Sequence, residues 1–470
     1  MTMNIENINM IAEAVRAARQ PTMIRNRAGG LVCPVTPTDY LERIIILGTT
    51  HNTYYALGAE VTRDAVAFLV DRFDSDPQTV DHVVKISQSG RAPSNGHALM
   101  ALAIALSSRN DETKDRAVRA VPKVARTGAD FLRLVALTDQ MRRWSRSFRR
   151  AVQHWFFSQT PNRLAYQAIK YWQRFGWTLR DVVRLGHPLS AVRRAPDEHQ
   201  DRIRSILYWI AKGWPDVGDL PHPDPALRKI WAVERLRRLP DNDISGAARI
   251  IAQEGIPREA VPTHFLKHHE VWGALLPQMP MMALVRNLAT LTRVGVIGRG
   301  SPEVVDDVCQ RLTDRTAIRT ARLHPVHYLM ALRTYAGGYS KTTGQRWEPV
   351  PEVVDALERG FMLAFQEIET SPAEVIIAVD TSGSMSSNMG VGPGADGLRA
   401  VEIGAVLAMS LVRTFPNHRV WGFSTHCYNL CINPEMGLQE VVCRIGSSGG
   451  TDVSSPVFRA MNERIPADAL

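Results

Sequence analysis

The sequence predicts a mainly α protein in two parts, an α-solenoid followed by an α/β domain, and three observations carry that prediction. From about residue 61 to residue 366, apolar residues recur at helical spacing in one segment after another, and strand-type alternation is nearly absent. At Ser371-Pro372 the pattern changes to strand, loop, helix, strand, loop, helix. Between Arg142 and Arg184 stand ten arginines and lysines against the single acid Asp181, a net +9 that equals the formal net charge of all 470 residues. The remainder is close to electroneutral, so the basic character belongs to one surface.

In chain order, a Gly/Pro-rich loop around 27–37 leads to a short apolar helix ending before Gly48, and Thr62 is a candidate N-cap for the next. Helices are then expected at about 61–73, 76–89, 95–108, 113–127, 129–140, 142–157, 161–175, 179–185, 199–212, 224–237, 257–276, 279–292, in pieces over 302–335, and at 350–369. Tandem helices of this length on short loops cannot bury their faces in pairs and must stack, which is the logic of a solenoid.

In the basic region Thr160-Pro161 reads as an N-cap followed by proline at N1, and Gly176 as the stop after Phe175. Lys170 and Arg174, four apart, would then share a helix face. Thr178 caps the next helix with Asp181 at N3, a capping box that accounts structurally for the lone acid. His187, after Gly186, closes that helix beside Arg180 and Arg184. Helical spacing puts Arg142, Arg146, Arg149 and Arg150 on one side and Phe148, Val152 and Trp155 on another. Arginine so concentrated favours polyanions, and nucleic acid first among them, because guanidinium binds phosphate bidentately and binding releases counterions. A merely solvated helix face is the alternative, but such a face normally carries acids for i,i+4 pairs, and here they are missing.

The second part opens on Val375–Val379, an apolar run of the buried parallel-strand kind, followed by Asp380, Ser382 and Ser384 as D-x-S-x-S. A glycine-rich loop, 390–397, leads to a helix from about Leu398 to Phe415, residues 419–424 form the next strand, and GSSGGTD (446–452) opens a helix to about Glu463. Three short oxygen side chains on one tight loop suit a hard divalent cation. No segment is long and apolar enough to span a membrane, and the N-terminus lacks a signal pattern. Five scattered cysteines exclude a disulfide scaffold and suit a reducing cytoplasm; Cys427 and Cys431 are expected to be buried thiols. Paired catalytic carboxylates, H-E-x-x-H and a Walker-type loop are all lacking, so no enzyme activity is expected.

Two resemblances follow from these residues. D-x-S-x-S after a buried strand, with the later GGT, resembles the metal-ion-dependent adhesion site of von Willebrand factor A domains. That likeness implies Asp380, Ser382, Ser384 and Thr451 as ligands of a divalent cation, Mg2+ by preference. The family also has an aspartate after the next strand; the chain stops at Leu470, where that strand should begin, so this Rossmann-like domain is expected to be partial. The helical part resembles the TROVE module of Ro ribonucleoproteins, bacterial members included. The carrying motifs are ILGT (46–49) with TYY (53–55), WSRSFRRAV (144–152), KYWQRFGWTLRDVVRLGHP (170–188), PREAVPTHFL (257–266), VWGALLPQMPMMALVRNLATLTRVGVI (271–297) and HPVHYLMAL (324–332).

The resemblance implies a TROVE domain at 1–366 built as a ring of HEAT-like repeats, closed by a von Willebrand factor A domain at 367–470. It further implies binding of Y-like small RNAs on an outer basic surface and of single-stranded ends of misfolded non-coding RNAs through a central hole, as RNA quality control. Lys170, Arg174 and His187 match the family's outer contacts. Arg142, Arg143, Arg146, Arg149 and Arg150 are assigned by charge to inner or rim contacts, with Arg180 and Arg184 beside His187. The protein is expected to be cytoplasmic, a monomeric ring, not membrane-bound, and open to an exoribonuclease partner. A metal-dependent protein-adhesion scaffold with incidental RNA binding is the rival.

Overall fold

The computed structural model describes residues 24–25, 31–32, 35–48, 58–92, 94–142, 144–191, 197–214, 218, 222–340, 343–366, 370–387 and 398–470. Two compact units result, one ending at Arg235 and including Pro257–Ala260, the other made of Leu236–Ile256 and Val261–Leu470.

In the first unit an antiparallel pair, β1 (Ile24–Arg25) and β2 (Leu31–Val32), precedes α1 (Pro37–Leu47), α2 (Gly58–Ser75), α3 (Thr79–Gln88), α4 (Gly96–Leu106), α5 (Asp111–Val124), α6 (Gly128–Arg142), α7 (Arg146–Phe157) and α8 (Pro161–Lys170). A second pair, β3 (Gln173–Arg174) and β4 (Trp177–Thr178), leads to α9 (Leu179–Gly186), α10 (Glu198–Lys212) and α11 (Pro225–Arg238). Each helix packs on the next but one: α2 on α4, α4 on α6, α6 on α8 and α8 on α10 make one layer, and α3 on α5, α5 on α7 and α7 on α9 the other. This two-layer stacking is what the helix rhythm predicts. The sequence of α4, GHALMALAIAL, is apolar all round, and Leu99, Leu102, Ile104 and Leu106 are all buried.

The second unit continues with α12 (Ile244–Glu254), α13 (His269–Leu275), α14 (Met281–Arg293), α15 (Pro302–Leu312), α16 (Arg315–Ala321), α17 (Pro325–Ala336) and α18 (Pro351–Gln366). Parallel strands β5 (Val375–Asp380) and β6 (His418–Phe423) flank α19 (Ala400–Thr414), and β7 (Cys427–Asn429) adds antiparallel to β6. α20 (Leu438–Ile445) and α21 (Ser455–Asn462) follow, and Ala469 bridges Val375 in parallel on the free side of β5. Glu402, 3 % exposed in the first turn of α19, accepts from the Arg399 backbone N–H (3.0 Å) and from Arg333 Nη2 of α17 (2.5 Å), so its buried charge is compensated.

Several expectations need correction. The helix expected at 161–175 stops at Lys170, and 173–178 form a hairpin, because Phe175 and Gly176 both take left-handed backbone, φ 53° and 79°. The helix expected at 142–157 starts at Arg146, where the Ser145 hydroxyl accepts from the Phe148 N–H (3.3 Å) and ends the preceding turn. Thr62 lies within α2, which begins at Gly58, and so does not cap it. Of the helix expected at 257–276 only His269–Leu275 (α13) is α-helix, with 3-10 turns at Arg258–Ala260 and Phe265–Lys267 before it, while α12 lies where no helix is expected. Cys427 is half-buried and Cys431 exposed, so neither is the buried thiol expected. The 390–397 loop and the motif residues 53–55 lie outside the described residues.

Candidate nucleic-acid interface

The local structure of the basic region is set by caps. Thr160 Oγ1 accepts from the Arg163 N–H with Pro161 at N1, and α8 buries Leu164, Ala165, Ala168 and Ile169 while Tyr166 and Lys170 keep the open side. At Tyr171 the backbone leaves the helix and the hairpin begins, closed by a two-residue turn of the I′ kind at Phe175-Gly176. A phenylalanine at positive φ costs on the order of 1–2 kcal/mol, and this one is 54 % exposed, so it neither relaxes its backbone nor fills the core. Its ring lies 5.8 Å from Arg133 Cζ.

Because of the hairpin, Lys170 and Arg174 do not share a helix face, yet they meet at one ring. Lys170 Nζ is 5.5 Å and Arg174 Cζ 5.9 Å from the Tyr171 centroid. Lys170 Nζ also donates to Tyr166 Oη (3.3 Å) and sits 5.4 Å from that ring. Partial burial pulls the Lys170 ammonium down, but the hydroxyls of Tyr166 and Tyr171 and the Glu259 carboxylate outweigh it, and the net shift is upward. The charge is thus held firmly at neutral pH.

α9 follows with the expected capping box: the Thr178 N–H donates to Asp181 Oδ2 (3.2 Å) and Thr178 Oγ1 accepts from the Asp181 N–H (3.1 Å). Leu179, Val182 and Val183 face inward, and Arg180 and Arg184 outward at i,i+4. Arg180 lies over Trp172, 6.0 Å from its centroid. His187 ends α9 in left-handed backbone, φ 48°, and is exposed. Gln153 Nε2 of α7 donates to the carbonyls of Gly186 and His187 (3.3 Å each), and a Cβ on Gly186 would come within 2.6 Å of Val152, so only glycine lets α9 end this close to α7.

On α7, Phe148, Val152 and Trp155 are fully buried and Arg146, Arg149 and Arg150 exposed, as their spacing predicts. Arg150 Nη1 pairs with Asp115 of α5 (2.8 Å), an acid outside the 142–184 stretch, so its charge is partly spent within the protein. Arg142 ends α6, but its side chain, like all of Arg143, lies outside the described residues. Tyr171 and Phe175 are two of the aromatics interleaved with the charges in the sequence, and Arg133 is a contribution the sequence did not single out. The signal that was available is the Phe-Gly dipeptide, a turn marker at the end of an apparent helix.

In the second unit the D-x-S-x-S loop leaves the end of β5. The Ser382 N–H donates to Asp380 Oδ1 (2.7 Å), and Ser382 Oγ lies 3.0 Å from Ser384 Oγ. The loop of Thr451 is stitched to it: the Gly383 N–H donates to the Gly449 carbonyl (3.1 Å) and the Ser448 N–H to that of Thr381 (2.9 Å). Asp380, Ser382 and Ser384 are therefore gathered, and Thr451 stands exposed on the adjoining loop. One carboxylate and hydroxyls, all hard oxygen donors, fit a divalent cation that keeps part of its water shell. Asp452 does not add to them as placed, since its Oδ1 accepts from Ser454 Oγ (2.6 Å) and from the Ser454 N–H (3.0 Å), which lower its pKa.

No helix among the described residues is long and apolar enough to cross a membrane. A model of the TROVE domain matches residues 24–217 and 240–336, and a model of the Ro60 vWA domain matches 374–470. The RNA-binding protein RO60 of Deinococcus radiodurans is 34 % identical over 452 residues, covering 95 % of this chain and 82 % of that one. The RNA-binding protein RO60 of Caenorhabditis elegans is 28 % identical over 436 residues, covering 79 % of this chain and 67 % of that one. The crystal structure of the Deinococcus radiodurans RO (RSR) protein superposes with a TM-score of 0.77 at 30 % identity, over 92 % of this chain and 85 % of that one.

Proposed function

The chain belongs to the Ro60 family, a TROVE domain followed by a Ro60 vWA domain, and from that premise we propose that it is a non-catalytic RNA-binding protein whose principal contact surface is centred on Lys170, Arg174 and His187. The convergence of Lys170 and Arg174 on Tyr171, next to the exposed Phe175, carries this reading. Cations held against an aromatic face keep their outward N–H groups for phosphate oxygens, and an exposed ring offers a stacking platform for an unpaired base. Arg180 and Arg184 extend the same positive surface, and Arg146 and Arg149 supply further phosphate contacts from α7. Small structured RNAs of the Y type are the proposed ligands of this surface. Single-stranded ends of misfolded RNAs are the second ligand class, which would place the protein in cytoplasmic RNA quality control, as a monomer, beside an exoribonuclease that degrades what is bound.

The test is to crosslink and recover the protein from its native host and sequence the bound RNA, with a Lys170→Ala/Arg174→Ala/His187→Ala variant alongside. One abundant structured RNA, enriched with the native protein and lost from the variant, is the expected result. Equal recovery with both proteins would remove the surface from consideration.

For the second unit we assign Asp380, Ser382, Ser384 and Thr451 as holders of a Mg2+-like cation. Such an ion would offer an open coordination position to an acidic group of a partner, which is the specific content of the adhesion-scaffold alternative. Asp380→Ala should abolish Mn2+ binding measured by calorimetry and leave RNA affinity within about twofold, since it removes the only formal charge among the assigned ligands. RNA affinity that falls together with metal binding in the folded variant would contradict the assignment of RNA binding to the helical part.

A further inference from the structure

A second aromatic surface lies apart from the Lys170–Arg174 cluster. On α10, Asp201, Arg204, Ser205 and Tyr208 fall on one face at helical spacing. The opposite face does the packing: Ile203, Ile206, Leu207, Trp209 and Ile210 are buried, and Trp209 Nε1 donates to Glu234 Oε1 (2.9 Å). After α10, Gly213 turns the chain at φ 74° and delivers Trp214, which stacks nearly parallel to His222 (5.9 Å between centroids, 14°) and leans on Trp231 of α11 (5.6 Å, 58°). His222 meets Trp231 edge-on at 5.2 Å. Together with Tyr208 these rings line a solvent-open pocket of about 570 Å³. Trp214, His222 and Trp231 are only half-buried and Tyr208 is 42 % exposed. Four aromatic rings stand around an open hollow beside the buried face of α10.

The rim identifies the ligand's charge. Arg204 Cζ and Lys212 Nζ each stand 5.8 Å from the Tyr208 centroid. Among the described residues the acid lining the pocket is Asp201, 4.0 Å from Arg204 Nη1, and Asp224, next to His222, is engaged by Arg202 (2.8 Å), so Arg204 and, beyond Tyr208, Lys212 face one partly engaged carboxylate. A cage for a quaternary ammonium needs the reverse balance. Flat π-faces under a cationic rim suit a flat heteroaromatic ring that carries an anionic tail. His222 and Trp231 lie at positions between the two segments that the TROVE model matches, so this wall comes from outside the stretch that the family model describes. We propose that the pocket binds a nucleotide, its base against the Trp214, His222 and Trp231 rings and its phosphate at Arg204 and Lys212. The site takes a free mononucleotide or one nucleotide of a single strand by the same chemistry, and it does not rest on the RNA surface assigned above.

The test is tryptophan fluorescence of the full chain in a Lys170→Ala/Arg174→Ala background, which weakens binding at that surface. The probes are adenosine 5′-monophosphate, hexa-adenylate, ribose 5-phosphate and tetramethylammonium. Saturable quenching by the mononucleotide assigns a free nucleotide, and quenching by the hexamer alone assigns a strand subsite; both uphold the pocket. Ribose 5-phosphate, with nothing to stack, should bind about tenfold more weakly or not at all, and adding Arg204→Ala/Tyr208→Ala should weaken the nucleotide about tenfold. Both of those positions are exposed; Trp231→Leu, checked for fold by circular dichroism, probes the wall separately and should weaken binding by a similar factor. Absence of quenching by either nucleotide probe, preference for tetramethylammonium, or unaltered affinity in the Arg204→Ala/Tyr208→Ala protein would overturn the assignment.

Discussion

Alanine at both Lys170 and Arg174 should weaken binding of a structured RNA by about 30-fold near 0.1 M salt, taking each exposed charge-assisted contact at about 1 kcal/mol. The dependence on salt is the more specific readout. Each phosphate contact on a duplex contributes about 0.9 to the slope of log affinity against log salt, so losing two should flatten the slope by about 1.8. Filter binding between about 0.05 and 0.3 M salt measures both quantities. Lower affinity with an unchanged slope would mean that the residues act by supporting the hairpin and not by touching phosphate. Unchanged affinity would remove Tyr171 and its two cations from the interface.

Trp155→Ala should destabilise the first unit by about 3–5 kcal/mol. The indole is fully buried, stacked face to face on Phe131 of α6 (3.9 Å between centroids, 1°) and met edge-on by Phe156. Its Nε1 donates to the Ala125 carbonyl (2.8 Å) at the end of α5, so truncation opens a cavity and also strands a buried acceptor. Since α5 packs on α7 and α6 on α8, the loss is felt in both layers of the stack. Calorimetry should show the transition of the first unit about 10 °C lower. With two compact units the trace is not expected to be two-state, and the second transition is the internal control. A shift below about 2 °C, under 1 kcal/mol for a unit of this size, would show that neighbouring helices close over the cavity.

What could be read in the sequence was whatever obeys a local rule. The Thr160-Pro161 start, the Thr178–Asp181 box and the arginines-out, aromatics-in division of α7 depend on residues within one or two turns, and all are found. So is the change of pattern near residue 372, where β5 and the Asp380 loop follow a break. The hairpin at 173–178 escaped because Lys170 and Arg174 continue helical spacing and the turn carries Phe-Gly in place of Asn-Gly. α12 escaped because Ser245-Gly246 reads as a loop, whereas Asp243 caps the helix and Ala247, Ile250 and Ile251 bury it against its neighbour α13. The Tyr208–Trp231 pocket has no local signature at all. Its rings come from one helix, a turn and a second helix, and only tertiary packing brings them together.

The division of α7 has a consequence for how such a protein can change over generations. Its buried side chains and its charged ones occupy opposite halves of the same cylinder, with Arg146 and Arg149 exposed and Phe148, Val152 and Trp155 fully buried. Substitutions on the outer half are therefore close to neutral for folding, as exposed positions away from caps and buried pairs generally are. Lineages can drift through many charge patterns there and acquire new ligands one residue at a time, while selection on the inner half keeps the scaffold that displays them.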